Sequence, residues 1–227
     1  MSFVTVYSLH ISGLHIFATA RRMEAMADLK DVAGITLVPL DVTNIESIRN
    51  ARETVASALG AGKGLDMLVN NAGVATIMPA LDHDISATRQ MFEANLFGMM
   101  AMVQEFMPLL LLSSDACIVN IGSVAGLIPF AFGSSYNASK AAVHSYSDTL
   151  RLGTHLKLLL SIDFLTISST CRAQASRVRI SDHFSSQRVL LTIMQNQGHN
   201  CLAWRCQDKY DHAKANTAPR ELLLCIN

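Results

Sequence analysis

Residues 117–140 read CIVNIGSVAGLIPFAFGSSYNASK, and their reading decides the fold. Cys117–Gly122 is a short apolar run of the kind that forms a strand buried on both faces. Ser123 closes it. Thirteen residues later, in a stretch of helix-forming composition, come Tyr136 and Lys140. Tyr and Lys four apart share one face of a helix. An ammonium beside a phenol stabilises the phenolate, which tunes the phenol toward proton transfer near neutral pH. A serine hydroxyl from the adjoining strand end orients the same substrate oxygen. A Tyr-x3-Lys pair by itself reads as a solvated surface pair; its place after this strand and this serine favours chemistry.

Outward from this stretch the pattern repeats. His15–Ala20, Ile35–Val42 and Met67–Asn71 are β-like, and Met23–Val32, Asn44–Leu59 and Ile85–Leu112 have helical composition. Thr43, with Glu46 three residues on, reads as the N-cap of the second helix. Strands alternating with helices predict a doubly wound α/β domain, Rossmann-like, with a parallel sheet covered on both sides. Ligands of such sheets gather outside the carboxyl ends of the strands. At those ends stand Arg21-Arg22, whose guanidiniums suit a phosphate, and Asp41, an acceptor for an adenine amino group or an ordinary residue near a helix start. Asn70-Asn71-Ala72-Gly73 closes another strand, where the amides either stitch strands together or line a cofactor cleft.

Asn70-Asn71-Ala72-Gly73, Asn95 in ANLFG, Ser123 in NIGSVAG and Tyr136-x3-Lys140 together resemble the short-chain dehydrogenase/reductase family, in order and spacing, over about residues 14–152. The wording around GLHIFATARR is most similar to the fungal branch related to NADPH-dependent 1-acyldihydroxyacetone-phosphate reductase. The resemblance implies an NADP-dependent oxidoreductase that interconverts a ketone and a secondary alcohol. It implies Tyr136 as proton donor or acceptor, Ser123 as the group polarising the substrate oxygen, and Asn95 as holder of a relay water. Lys140 would tune Tyr136 and, with it, hold the nicotinamide ribose. Asp41 and Asn70 would meet the adenosine side of the cofactor, and Arg21 or Arg22 would select NADP. The alternative is a catalytically silent relative acting as an interaction module.

Composition narrows the field. The 227 residues suit one α/β domain, half of them are hydrophobic, and eighteen basic side chains balance eighteen acidic ones. That neutrality removes the electrostatic motive for binding nucleic acid. The longest apolar stretch, 97–112, is interrupted by Gln104 and Glu105, so no membrane span is expected. Five cysteines include Cys201-x4-Cys206 near His199 and His212, a spacing that misses zinc patterns, so no metal is expected. The glycines of 60–64 follow a helix rather than a strand, the reverse of a phosphate loop. Expected partners are a small-molecule ketone or alcohol and a second copy of the chain, in an intracellular, cytoplasmic setting. By resemblance, the endoplasmic reticulum or lipid-droplet surface is a further location.

Both ends depart from the family pattern. Met1–Ile11 stands where a first strand and a glycine-rich turn belong, so the Rossmann-like sheet is expected to be incomplete, with an unpaired central edge and a weakened dinucleotide site. The resemblance stops at about Gly153. Residues 153–227 form a divergent segment that lacks the family's Pro-Gly closure, reads as poorly ordered, and looks more like an altered reading frame than a second domain. Within it only 157–168 (KLLLSIDFLTIS) reads as a strand.

Overall fold

In the computed structural model, which describes residues 14–114, 116–153, 158–162, 189–196, 199–206 and 221–225, the apolar runs become strands. β1 is His15–Ala20 and β2 is Ile35–Pro39. A 3-10 helix, Met23–Leu29, joins them where an α-helix was expected. Met26 leaves helical geometry there, and both Met26 and Leu29 drop into the core. Helix α1 (Ile45–Leu59) buries Ile48, Ala51, Val55 and Leu59, one face at three- and four-residue spacing. Its cap is Asn44 rather than Thr43. Asn44 Oδ1 accepts from the backbone N–H groups of Glu46 (3.0 Å) and Ser47 (3.2 Å). Thr43 instead donates its hydroxyl and its N–H to Asp41.

β3 is Met67–Asn70. The glycines before it make a turn: Gly60 and Gly62 have φ of 86° and 75°, and a Cβ on Gly64 would collide with the backbone of Leu112 and Ser113. The helix expected over Ile85–Leu112 is interrupted. α2 (Ile85–Phe92) passes through a π-helical turn, Glu93–Phe97, into α3 (Gly98–Leu110). Such turns recur at functional positions, and this one carries Asn95. β4 (Cys117–Ile121) is followed by a 3-10 turn, Val124–Gly126, and then by α4 (Ser134–Gly153). β5 (Leu158–Ile162) falls inside the expected strand. β6 (Val189–Asn196) and β7 (His199–Cys206) pair antiparallel as a separate sheet. β8 is Glu221–Cys225. Met1–Ile11 and His212 lie outside the described residues.

The main sheet has the order β2-β1-β8-β3-β4-β5 and is parallel throughout. In a doubly wound sheet of order 3-2-1-4-5-6 the first strand lies between the second and the fourth. Here β1 and β3 take the second and fourth positions, and β8 takes the first. The expectation of an unpaired central edge is thereby corrected. Residues 15–19 pair with 221–225, and residues 67–69 pair with 222–224 on the other side. Buried backbone groups demand partners, and an apolar run from far along the sequence supplies them. β5 and β8, both from the divergent segment, thus share a sheet with β1–β4.

Alternation along β1 sends Phe17 to one face and Ile16 and Ala18 to the other. Phe17 shares a buried cluster with Leu68 of β3, Val55 of α1 and Met102 and Phe106 of α3. Ile16 and Ala18 join Met26, Leu29, Val69 and Val119. On the surface, Glu105 of α3 accepts from both Arg49 and Arg52 of α1. No helix among the described residues is long and apolar enough to cross a membrane. Because Asn44 holds two otherwise orphaned N–H groups of α1, Asn44→Ala is expected to cost about 1 kcal/mol in urea unfolding, whereas Asn44→Asp keeps wild-type stability.

Candidate active site

The carboxyl end of β4 and the first turns of α4 build the site. Lys140 is buried, and its Nζ donates to the Ile121 carbonyl at 2.8 Å. The same Nζ lies 5.9 Å from the centre of the Tyr136 ring. Burial lowers the Lys140 pKa to about 8. Ser123 leaves β4 in extended conformation and caps the following turn, its Oγ accepting from Ala125 N–H at 3.2 Å. That turn presses on α4 without a gap. A Cβ on Gly126 would stand 2.7 Å from the Lys140 carbonyl carbon and 2.8 Å from Ala141 N. His144 adds a tie: its Nε2 lies 2.8 Å from the Ser123 carbonyl. A carbonyl only accepts, so Nε2 is the protonated nitrogen. Ser123, Tyr136 and Lys140 are therefore brought to one place.

Asn95 is buried, and both atoms of its amide are bonded within the protein. Its Oδ1 accepts from Val74 N–H (2.7 Å), and its Nδ2 donates to the Val74 carbonyl (2.9 Å) and to Ser139 Oγ (3.0 Å). Ser139 passes the chain on to the Tyr136 carbonyl. One oxygen lone pair remains to Asn95, so its side chain acts first as a latch between the loop after β3 and α4. Gly73 leaves room for it, since a Cβ there would come 3.1 Å from Asn95 Oδ1.

Asn70 stitches strands. Its Nδ2 donates to Asn120 Oδ1 on β4 (2.9 Å), and Asn120 Nδ2 donates to Ser147 on α4 (2.9 Å). Asn70 Oδ1 is buried without a partner, one of the few such atoms among the described residues. Of the two readings of the asparagine pair, the strand-stitching one thus applies to the Nδ2 atom, while the Oδ1 atom stays open as an acceptor. Sequence reasoning missed Asn120, Ser139, His144 and Ser147. The signal available was the recurrence of small polar residues at 135, 139 and 147 on the face of α4 that bears Lys140.

Arg21 and Arg22 stand exposed just beyond β1. Asp41 lies on the neighbouring turn, where burial pushes its carboxyl up but the Thr43 hydroxyl, the Thr43 N–H and the Arg21 charge together hold it below the ordinary value. Large apolar side chains are exposed on the loops around the catalytic end. Ile77 and Leu81 follow β3, while Leu127, Ile128, Phe130 and Phe132 follow Ser123, all exposed. Met78 N–H donates to the Phe132 carbonyl (2.9 Å) and Asn137 Nδ2 to the Phe130 carbonyl (3.0 Å), so the two loops are clasped. The clasp holds Phe132 at φ 63°, a conformation that disfavours bulky side chains.

A family profile described as short chain dehydrogenase matches residues 3–157. The chain belongs to the short-chain dehydrogenase family. It is 46% identical over 140 residues to the short-chain dehydrogenase virD of Hypocrea virens, covering 62% of this chain and 47% of that protein. It is 38% identical over 143 residues to the NADPH-dependent 1-acyldihydroxyacetone phosphate reductase of Schizosaccharomyces pombe, covering 63% and 47%. Among solved structures, serine dehydrogenase from Escherichia coli superposes with a TM-score of 0.62 at 32% identity, over 67% of this chain and 72% of that one. The chain spans about half the length of the curated relatives it matches.

The buried Lys140 gives a pH-dependent test. A folded pKa below the unfolded one means that the unfolded chain binds more protons between about 8 and 10.5, so stability rises across that window and is lost as pH falls through the folded value. At neutral pH the burial costs on the order of 3 kcal/mol, offset in part by the bond to Ile121. Lys140→Met is expected to raise Tm at pH 7, with the gain shrinking as thermal unfolding is repeated from pH 8 to pH 10.

Proposed function

We propose that this chain carries the site of an NADP-dependent oxidoreductase that interconverts a ketone and a secondary alcohol. The observation that carries the reading is a buried ammonium fixed by the Ile121 carbonyl beside the Tyr136 ring, with Ser123 held against the same helix. The NADPH named for the Schizosaccharomyces pombe relative supports the choice of cofactor. The residues present fit much of such a group. Lys140 uses one of its three donors on Ile121, which leaves capacity for ribose hydroxyls. The orphaned Asn70 Oδ1 suits a buried hydrogen-bond donor on the adenosine side, and Asp41 suits an adenine amino group. Arg21 and Arg22, exposed at the end of β1, suit a 2′-phosphate. A glycine-rich turn for the diphosphate is not found among the described residues.

When bound, the cofactor supplies the hydride. The protein supplies the proton and the geometry. Tyr136 holds its proton at the phenol oxygen and gives it to the substrate oxygen as that oxygen becomes an alkoxide. Ser123 donates its hydroxyl hydrogen to the same oxygen. The Lys140 charge compensates the negative charge left on the phenol, and it acts strongly because water is excluded around it. Asn95, through Ser139, fixes the turn of α4 that carries Tyr136, and its remaining lone pair is the place for a relay water. The apolar rim supports a substrate of lipid character, such as an acyl-dihydroxyacetone phosphate or another lipid ketone, or an apolar intermediate of fungal metabolism. An intracellular setting and association of two copies belong to the same reading. A catalytically silent family member is the second reading.

Tyr136→Phe is expected to lower turnover by roughly 10²–10⁴ with Tm unchanged, because only the transferable proton is lost. Full activity in that variant would remove the proposed role. Replacing Arg21 and Arg22 together by Ala is expected to erase the preference for NADPH over NADH, read by calorimetric titration of each dinucleotide. No heat with either dinucleotide on the wild-type chain would favour the silent reading.

A further inference from the structure

We propose that His144 is a positioning residue for the reaction: it fixes the Ser123 hydroxyl relative to Tyr136 by holding the Ser123 carbonyl to α4. The proposal rests on the oxidoreductase reading above and adds a residue to it.

The need for such a tie comes from where the sheet ends. β4 pairs with β3 as far as Asn120 and with β5 as far as Ile121. Ser123 stands two residues further on, past Gly122, where the ladder does not reach it. Its own turn supplies two bonds. Ser123 Oγ accepts from Ala125 N–H at 3.2 Å, and the Ser123 carbonyl accepts from Gly126 N–H at 3.0 Å. Both close within the turn. They set its shape and leave the hydroxyl hydrogen for a substrate oxygen, but they travel with it. A hydroxyl that must meet the same substrate atom as a phenol on another element needs a bond to that element.

His144 supplies it. Tyr136, Lys140 and His144 follow one another at four-residue spacing, in one stripe along α4. Lys140 Nζ donates to the Ile121 carbonyl and His144 Nε2 to the Ser123 carbonyl, each at 2.8 Å. Two rungs, one helical turn apart, thus bind the end of β4 to the helix that carries the phenol. The Lys140 rung stops short of Gly122, whose backbone is free to turn. The His144 rung ends on Ser123 itself. It is packed as well as bonded: a Cβ on Gly126 would stand 2.5 Å from His144 Cδ2, so the imidazole edge lies against the turn. A misplacement of about 1 Å in a reacting group costs on the order of 10²-fold in rate, which is the scale of error this rung prevents.

The test pairs His144→Gln with His144→Met. The two side chains are similar in length and helix propensity, and only glutamine carries an N–H donor. In the ligand-free chain, hydrogen exchange at the Gly126 amide is expected to be about tenfold faster in His144→Met and near wild type in His144→Gln. With NADPH and 2-undecanone as the probe ketone, kcat is expected to fall roughly tenfold to a hundredfold in His144→Met and to recover in His144→Gln. KM for NADPH is expected to stay unchanged in both. In a Ser123→Ala background His144→Met is expected to lower kcat no further, because the group it positions is gone. Unchanged kcat in His144→Met, or an undiminished loss in the Ser123→Ala background, would overturn the proposal and leave the oxidoreductase reading standing. Equal Gly126 exchange in all three proteins would overturn it whatever the activity. No turnover of the probe by the wild-type chain would instead remove the oxidoreductase reading, and the proposed role with it.

Discussion

The polar side chains that α4 buries must each find a partner, and that requirement fixes where the helix lies. Ser139 and Ser147 are almost wholly enclosed, and Lys140 nearly so. An apolar helix face slides at little cost; a row of buried hydroxyls and an ammonium does not. Ser147 meets Asn120, Lys140 meets the Ile121 carbonyl, and Ser139 meets Asn95. Three contacts on three successive parts of the helix lock its position along the sheet and its rotation. Tyr136 takes its place as a result of that locking, with no strong tie of its own required.

The same logic explains the π-turn and the glycines. Asn95 reaches both the loop after β3 and Ser139 because Glu93–Phe97 widens the helix where α2 becomes α3. Gly73 and Gly126 keep the approaches clear: a side chain at either position would meet Asn95 or the backbone of α4. The site is thus a set of close approaches held by buried hydrogen bonds. Its outer edge differs. There the clasped loops after β3 and β4 expose Ile77, Ile128 and Phe132, and they hold Phe132 in a strained conformation.

Much of this was legible in the sequence. The apolar runs at 15–20, 67–71 and 117–122 read as strands because parallel strands are buried on both faces. Ser123, Tyr136 and Lys140 read as chemistry because their spacing places them together on a strand end and a helix face. Finer features were not legible. Thr43 and Asn44 are both good caps, and the choice between them turned on Asp41, which draws Thr43 away. The break between α2 and α3 follows from the reach that Asn95 needs, which composition does not encode. Asn70 offered two readings, and the distance to Asn120 shows how its amide is used.

By itself, the sequence determined the class of fold and the family, because periodicity and fixed spacings along a helix or strand are local properties. The partners of the site residues were decided by tertiary structure alone. Asn95 to Ser139, His144 to Ser123 and Asn70 to Asn120 each join segments many residues apart, and nothing local announces them. The centre of the sheet is the clearest case. The run ELLLC at 221–225 gave no sign of its destination. Backbone pairing accepts any strand that fits the register and satisfies both neighbours, so only the assembled sheet assigns that place.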